Sequence, residues 1–248
     1  MTTDSAALVS LRGVSVCYRR FDRTRRRVGD VAALDQVDFD VPPASFLGLT
    51  GLSGSGKSTL ARCLAGWQIP HAGAIERRAA VQLVPQDAGT SLNPRWNAYE
   101  IVAEPLSIHK GRKPWTSPEA LLDRAGIARR QWNQRAEHFS GGEKARLAIA
   151  RALLALPDGH GLIVLDESLS SLDPATRAGI LSWLFSLRGD RGCTLMLVSH
   201  DLTLLAQAAD EIAVLDRGKI VERAPARALV ASPRTEASAA LVEAMSAD

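Results

Sequence analysis

The chain has 248 residues, 46% hydrophobic and 23% charged, which is enough to bury the core of one large domain or two closely joined ones. A formal net charge of +3 is too small to argue for nucleic acid, so no nucleic-acid partner is expected. Cys17, Cys63 and Cys193 lack metal-ligand spacing and fit a reducing compartment, the opening MTTDSAALVS lacks a signal-peptide layout, and no window approaches the 18 uninterrupted apolar residues of a membrane span.

Residues 8–18 alternate loosely through Val14, Val16 and Tyr18, a strand pattern. RRFDRTRRRVGD follows, with six arginines between Arg19 and Arg27. It reads as a solvated hairpin loop, a contact with a phosphate or an acidic partner being the sharper option. AALDQVDFDV predicts a second strand, ended by Pro42 and Pro43. FLGLTG is a short apolar run, followed by glycines and a helix from about Lys57 to Leu64 closed by Gly66. LVPQD ends another short apolar run near Gln86. From about 87 to 157 the pattern becomes mostly helical, with Ser117 as a cap, Pro118 at the first helical position, and HFSGGEKARLAIARALLAL over 138–156. LIVLD (162–166) and TLMLVS (194–199) are continuous apolar runs, as in strands buried on both faces of a parallel sheet. Between them lies PATRAGILSWLFSL, a helix with Pro174 at its first position and Asp173 as its cap. Strand, helix, strand makes the core α/β. IAVLDRGKIVE (212–222) predicts a hairpin turning at Arg217 and Gly218.

Gly51, Leu52, Ser53, Gly54, Ser55, Gly56, Lys57 and Ser58 fit G-x-x-x-x-G-K-[ST], with Thr59 next, and the motif lies between a strand and a helix as it must. Its backbone N–H groups curl around a polyphosphate, Lys57 reaches the β- and γ-phosphates, and the Ser58 hydroxyl ligates Mg²⁺. Asp166 emerges at the carboxyl end of LIVLD, where open parallel sheets bind ligands, and is placed to hold the metal. Glu167 is adjacent, and neighbouring strand residues point in different directions, so it is free to face an attacking water. His200 ends the next buried strand and is expected at the same edge, near the γ-phosphate, while Gln86 is placed to sense metal and water. Ser140 and Glu143 have capping-box spacing, which explains both residues but not Gly141 and Gly142 between them. Two glycines that leave first-turn N–H groups uncovered make the helix tip a candidate anion site.

With these motifs in this order, the chain resembles the nucleotide-binding subunits of ABC transporters over nearly its whole length. The most specific part is SGG opening a helix shortly before LIVLDE. The resemblance implies a P-loop NTPase core with a mostly parallel sheet, an N-terminal antiparallel β-subdomain and an inserted helical subdomain. That gives one domain over 8–246: a catalytic core with the β-subdomain at 8–86 and 158–225, the helical part at 87–157, and a tail at 226–248. It implies an ATPase using ATP and Mg²⁺, with Tyr18 stacking on adenine and residues 51–59 binding the nucleotide. Lys57, Gln86, Glu167 and His200 are implied to be catalytic, and Ser58, Gln86 and Asp166 to hold the metal. Two subunits pair head to tail in this family, so Ser140, Gly141, Gly142, Glu143 and Asp173 are implied to act on the opposite subunit's nucleotide.

A narrower likeness lies in VPQDAGTSLNPRWNAYEIVAEPL (84–106) and in the arginine-rich loop. Both are similar to ATPases that drive oligopeptide, dipeptide and nickel importers. This implies a separate transmembrane permease, a second ATPase subunit (a heterodimer, with a homodimer as the alternative), an indirectly acting solute-binding protein, and a peripheral place on the cytoplasmic face of the membrane. An exporter ATPase and a soluble ATPase of a phosphonate-cleaving complex remain the alternatives. The chain departs from the commoner patterns at Phe139-Ser-Gly-Gly-Glu143 and in the Ser-Leu-Ser-Ser after Glu167.

Overall fold

The computed structural model describes residues 6–21, 26–109 and 113–245. Its strands are β1 (Val9–Phe21), β2 (Arg27–Val41), β3 (Phe46–Thr50), β4 (Ala72–Arg77), β5 (Val81–Val84), β6 (Leu162–Asp166), β7 (Thr194–Val198), β8 (Glu211–Asp216) and β9 (Lys219–Pro225). Its helices are α1 (Lys57–Ala65), α2 (Ala98–Ile108), α3 (Pro118–Arg124), α4 (Gly141–Ala155), α5 (Pro174–Arg191), α6 (Leu202–Ala208), α7 (Ala226–Ala231) and α8 (Glu236–Met245). The chain packs as two compact units: Met1–Pro42 with Phe46–Arg78 and Met196–Asp248, and Pro43–Ser45 with Ala79–Leu195. The centre of the arginine-rich loop, residues 22–25, lies outside the described residues, and its flanks extend β1 and β2.

In the first unit β1 pairs antiparallel with β2 on one side and β4 on the other. Val9 and Leu11 point inward with period two, then Val14 and Val16 do, which requires a change of phase. A register shift between Leu11 and Val14 supplies it, with Gly13 in the left-handed region at φ 59°. The bulge is pinned by Gly13 N–H donating to Asp38 Oδ1 at 2.7 Å. β3, buried at all five positions, runs parallel to β8, and β9 turns back antiparallel on β8. That hairpin turns as expected at Arg217 (φ 46°) and Gly218 (φ 79°), both left-handed, as a two-residue primed turn requires. The segment expected only as a tail holds α7 and α8. Buried Glu222 on β9 anchors it by accepting from the backbone N–H of Arg234 (3.0 Å) and Thr235 (3.2 Å), just ahead of α8.

In the second unit β5 and β6 are parallel, with Val81 opposite Leu162. The region between them is helical. Asn97 and Glu100 form a capping box at α2, Ser117 caps α3 ahead of Pro118, and Ser140 caps α4. Arg151 of α4 donates to Ser91 O (2.9 Å) and to Glu104 Oε2 of α2 (3.1 Å), so the glutamate of the EPL stretch is held by an ion pair inside the unit. α5 starts at Pro174 with Asp173 as its cap and ends on left-handed Gly192. The α/β class, with parallel pairs and a separate antiparallel sheet, is the expected one. Cys63 and Cys193 are buried, which pushes their thiols up to about 11 and about 12 and keeps them protonated and inert.

Candidate nucleotide site

The first unit holds the phosphate-loop residues. At Gly51 (φ 148°) an added Cβ would lie 2.0 Å from Leu215 O, and at Gly56 (φ 112°) it would lie 2.2 Å from Ala33 O. Only glycine fits at either position, and the two glycines draw the loop close to β8 and β2. Gly56 caps α1 with no side-chain bond, and no acid occupies the first turn. The helix end therefore carries an uncompensated partial positive charge that attracts an anion. Lys57 is only 6% exposed. Its Nζ donates to Gly51 O (2.8 Å) and Leu52 O (3.0 Å), which folds the ammonium into the mouth of the loop. Ser55 Oγ is buried without a hydrogen-bond partner, an orphan that a ligand-shaped loop explains. Tyr18 is 40% exposed on β1, and its hydroxyl donates to Gln68 Oε1 at 3.3 Å. His200 follows β7 at the surface, and Asp201 caps α6 beside it.

The second unit holds the remaining candidates. Asp166 ends β6 and is buried. Glu167 was expected to diverge from it by strand alternation, but the strand stops at Asp166. Glu167 instead takes a left-handed backbone at φ 48°, a conformation that costs a non-glycine residue about 1–3 kcal/mol and clusters at functional sites. Ser170 holds this kink, donating from N–H (3.2 Å) and Oγ (2.7 Å) to Glu167 O. Gln86 is exposed two residues past β5, and it shares a cleft of about 370 Å³ with Gly141, Lys144 and buried Ser168.

The α4 tip answers the question of its glycines in two ways. Gly142 packs against its own unit, since an added Cβ would sit 2.5 Å from Thr176 Cγ2. Gly141 is exposed, with only Leu172 at 4.0 Å. Packing therefore explains one glycine and does not explain the other. The capping box is complete. Glu143 Oε2 accepts from Ser140 N–H and Ser140 Oγ at 2.9 Å each, Oε1 accepts from Gln131 Nε2 at 2.8 Å, and Ser140 Oγ accepts from Glu143 N–H at 3.3 Å. Burial pushes the Glu143 carboxyl up, but the bonds from Ser140 and Gln131 outweigh it and hold the group below its ordinary value. Asp173 is likewise held low by the side chain and backbone of Thr176. Nothing in the sequence marks Gln131, which lies twelve residues from the carboxylate it fixes.

A bare glycine-rich cradle, a buried lysine in its mouth and an uncapped helix behind it define a P-loop nucleotide-binding fold. The ABC transporter family profile matches residues 34–170, and the chain belongs to that family. It is 36% identical over 237 residues to the probable D,D-dipeptide transport ATP-binding protein of Escherichia coli (strain K12), a match covering 92% of this chain and 76% of the relative. It is 34% identical over 228 residues to an oligopeptide transport ATP-binding protein of Bacillus subtilis (strain 168), covering 83% and 73%. Among solved structures it resembles a dimeric ATP-binding cassette in a post-hydrolysis state with ADP and Pi, at a TM-score of 0.75 and 26% identity, covering 88% of this chain and 99% of the other. The chain is an ATP-binding, ATP-hydrolysing subunit of the ABC type. Among the described residues, no helix is long and apolar enough to cross a membrane.

Proposed function

We propose that this subunit drives uptake of peptides, nickel or a similar small solute through separate permease subunits, working at the cytoplasmic face of the membrane beside a second ATPase subunit. The observation that carries this reading is the pairing of a complete phosphate loop with the stretch at 84–106, in a chain whose relatives are named for dipeptide and oligopeptide transport. In this reading residues 51–59 wrap the triphosphate and Tyr18 stacks on the base. Lys57 leaves its two loop carbonyls for the β- and γ-phosphates, which offer it full negative charge in place of neutral acceptors. Glu167 accepts the proton of the attacking water, its backbone kink fixing its direction, and His200 and Gln86 orient the γ-phosphate and the water.

The donor set suits Mg²⁺. No group of three or more His, Cys, Asp and Glu side chains forms an all-protein cage among the described residues. A hydroxyl (Ser58), a carboxylate (Asp166) and an amide oxygen (Gln86) are of the kind, and as few, as the protein oxygens that Mg²⁺ takes alongside phosphates and water. When bound, Mg²⁺ supplies charge neutralisation on the phosphates. Ser140, Gly141, Gly142 and Asp173 act in trans, on the nucleotide of the neighbouring ATPase subunit.

The test is uptake. A strain lacking this chain should lose accumulation of a labelled dipeptide or of nickel, and regain it with the wild-type chain but not with Glu167→Gln. Unchanged uptake of both, with growth lost on a phosphonate as sole phosphorus source, would move the chain to a phosphonate-cleaving complex.

A further inference from the structure

We infer that Glu143 is a built-in restraint on the α4 tip, holding the one proton that Ser140 would offer to a phosphate and lowering the tip's affinity for the anion. The inference rests on the trans reading above and concerns a residue that contacts Ser140, so Glu143 is a positioning residue in that reaction.

The geometry leaves Ser140 little to give. A serine hydroxyl has one proton and two lone pairs. Its proton goes to Glu143 Oε2 at 2.9 Å, and one lone pair is taken by Glu143 N–H at 3.3 Å. What remains facing outward is an acceptor, which repels a phosphate oxygen. The carboxylate also brings a full negative charge to the helix end where the backbone N–H groups would attract an anion. Gln131 makes the arrangement durable. Its Oε1 accepts from Ala128 N–H at 3.2 Å, which turns its Nε2 toward Glu143 Oε1 at 2.8 Å. The carboxylate is thus gripped on both oxygens.

A glutamine at this position has one acceptor and one donor end. Its oxygen stays on Ser140 N–H, as the capping box requires, and a neutral amide oxygen holds the hydroxyl proton less tightly than a carboxylate does, so the proton is more readily turned outward. The charge vanishes as well. The α1 tip, by contrast, has no acid in its first turn.

The experiment compares full chains carrying Glu167→Gln, with and without Glu143→Gln. It measures the ATP concentration that half-maximally drives association, by light scattering at low and high NaCl, with binding of a fluorescent ATP analogue as a control. Glu143→Gln should lower that concentration by about three-fold at low salt, in line with one charge at a helix end, and by less at high salt. Adding Ser140→Ala should remove the part of the gain that survives high salt. Binding of the analogue to the separated chains should not change. An unchanged or raised half-maximal concentration overturns the inference and leaves Glu143 a cap. If neither chain associates with ATP although both bind the analogue, two copies of this chain do not pair through the α4 tip, and the inference falls with that pairing.

Discussion

Two helix tips in this protein carry glycines and read alike in sequence, yet the structure equips them differently. The α1 tip, behind Gly56, has no side-chain cap, no first-turn acid, and a buried lysine turned into the loop. The α4 tip, behind Ser140, carries a full capping box with a carboxylate at its centre. The first has the charge pattern that favours an anion held by its own chain. The second offers one open glycine and one packed one, under a negative charge, which suits a contact that forms and breaks. The difference teaches that glycine at a helix start states only that something comes close. The charges around it say how tightly.

The largest effect should come from removing the base without disturbing either tip. Glu167→Gln should lower steady-state ATP turnover by about 10²–10⁴-fold while a fluorescent ATP analogue still binds. Normal turnover would take the role away from this residue. Next come the loop glycines. Gly51→Ala forces a methyl to 2.0 Å from Leu215 O, whereas Gly54→Ala meets nothing within 4 Å and bears only its φ of 79°. The first should weaken nucleotide binding by at least about ten-fold, from strain of about 1–3 kcal/mol. The second should leave the loop's own packing intact and lower stability by only about 1–2 kcal/mol, so any loss of binding there reports a methyl meeting the nucleotide. Urea unfolding of both variants separates these outcomes, and a stability loss at Gly54 equal to that at Gly51 would contradict the reading of the cradle.

The α4 glycines should split in the opposite sense. Gly142→Ala drives a methyl to 2.5 Å from Thr176 Cγ2 and should destabilise the fold. Gly141→Ala has room and gains helix propensity of up to about 1 kcal/mol, so its unfolding midpoint should hold or rise while ATP-driven association weakens. The smallest effect is in pH. Glu143 has a folded-state pKa below its unfolded one, so its contribution is fully present above the ordinary glutamate value of about 4.3 and is lost as pH falls through the folded value. The melting-temperature advantage of the wild type over Glu143→Gln should therefore be largest near neutrality and close as pH drops below 4.3.

Much of this was legible beforehand. The phosphate loop is visible because a polyphosphate demands glycines at fixed spacing, and LIVLD and TLMLV because strands buried on both faces cannot alternate. Ser117, Pro118, Asp173 and Pro174 announced their helices through the chemistry of orphan N–H groups. What stayed hidden depended on contacts between distant residues. Glu222 anchoring the segment ahead of α8, Arg151 gripping Ser91 and Glu104, and Gln131 orienting Glu143 have no local pattern to betray them. The left-handed turn at Glu167 was equally silent, since a glutamate there contradicts backbone preference. Gly142 was legible as unusual, but its packing against Thr176 was not, because Thr176 lies on another helix.

Mixing two dead variants offers the most direct check on the pairing of the tips. Lys57→Ala removes the phosphate grip and leaves the α4 tip intact, while Gly141→Asp blocks the α4 tip and leaves the loop intact. Each alone should be inactive. If one chain's α4 tip completes the other chain's nucleotide site, the mixture should regain ATP hydrolysis well above the sum of the two. A mixture no more active than that sum would contradict the completion of one copy's loop by another copy's α4 tip.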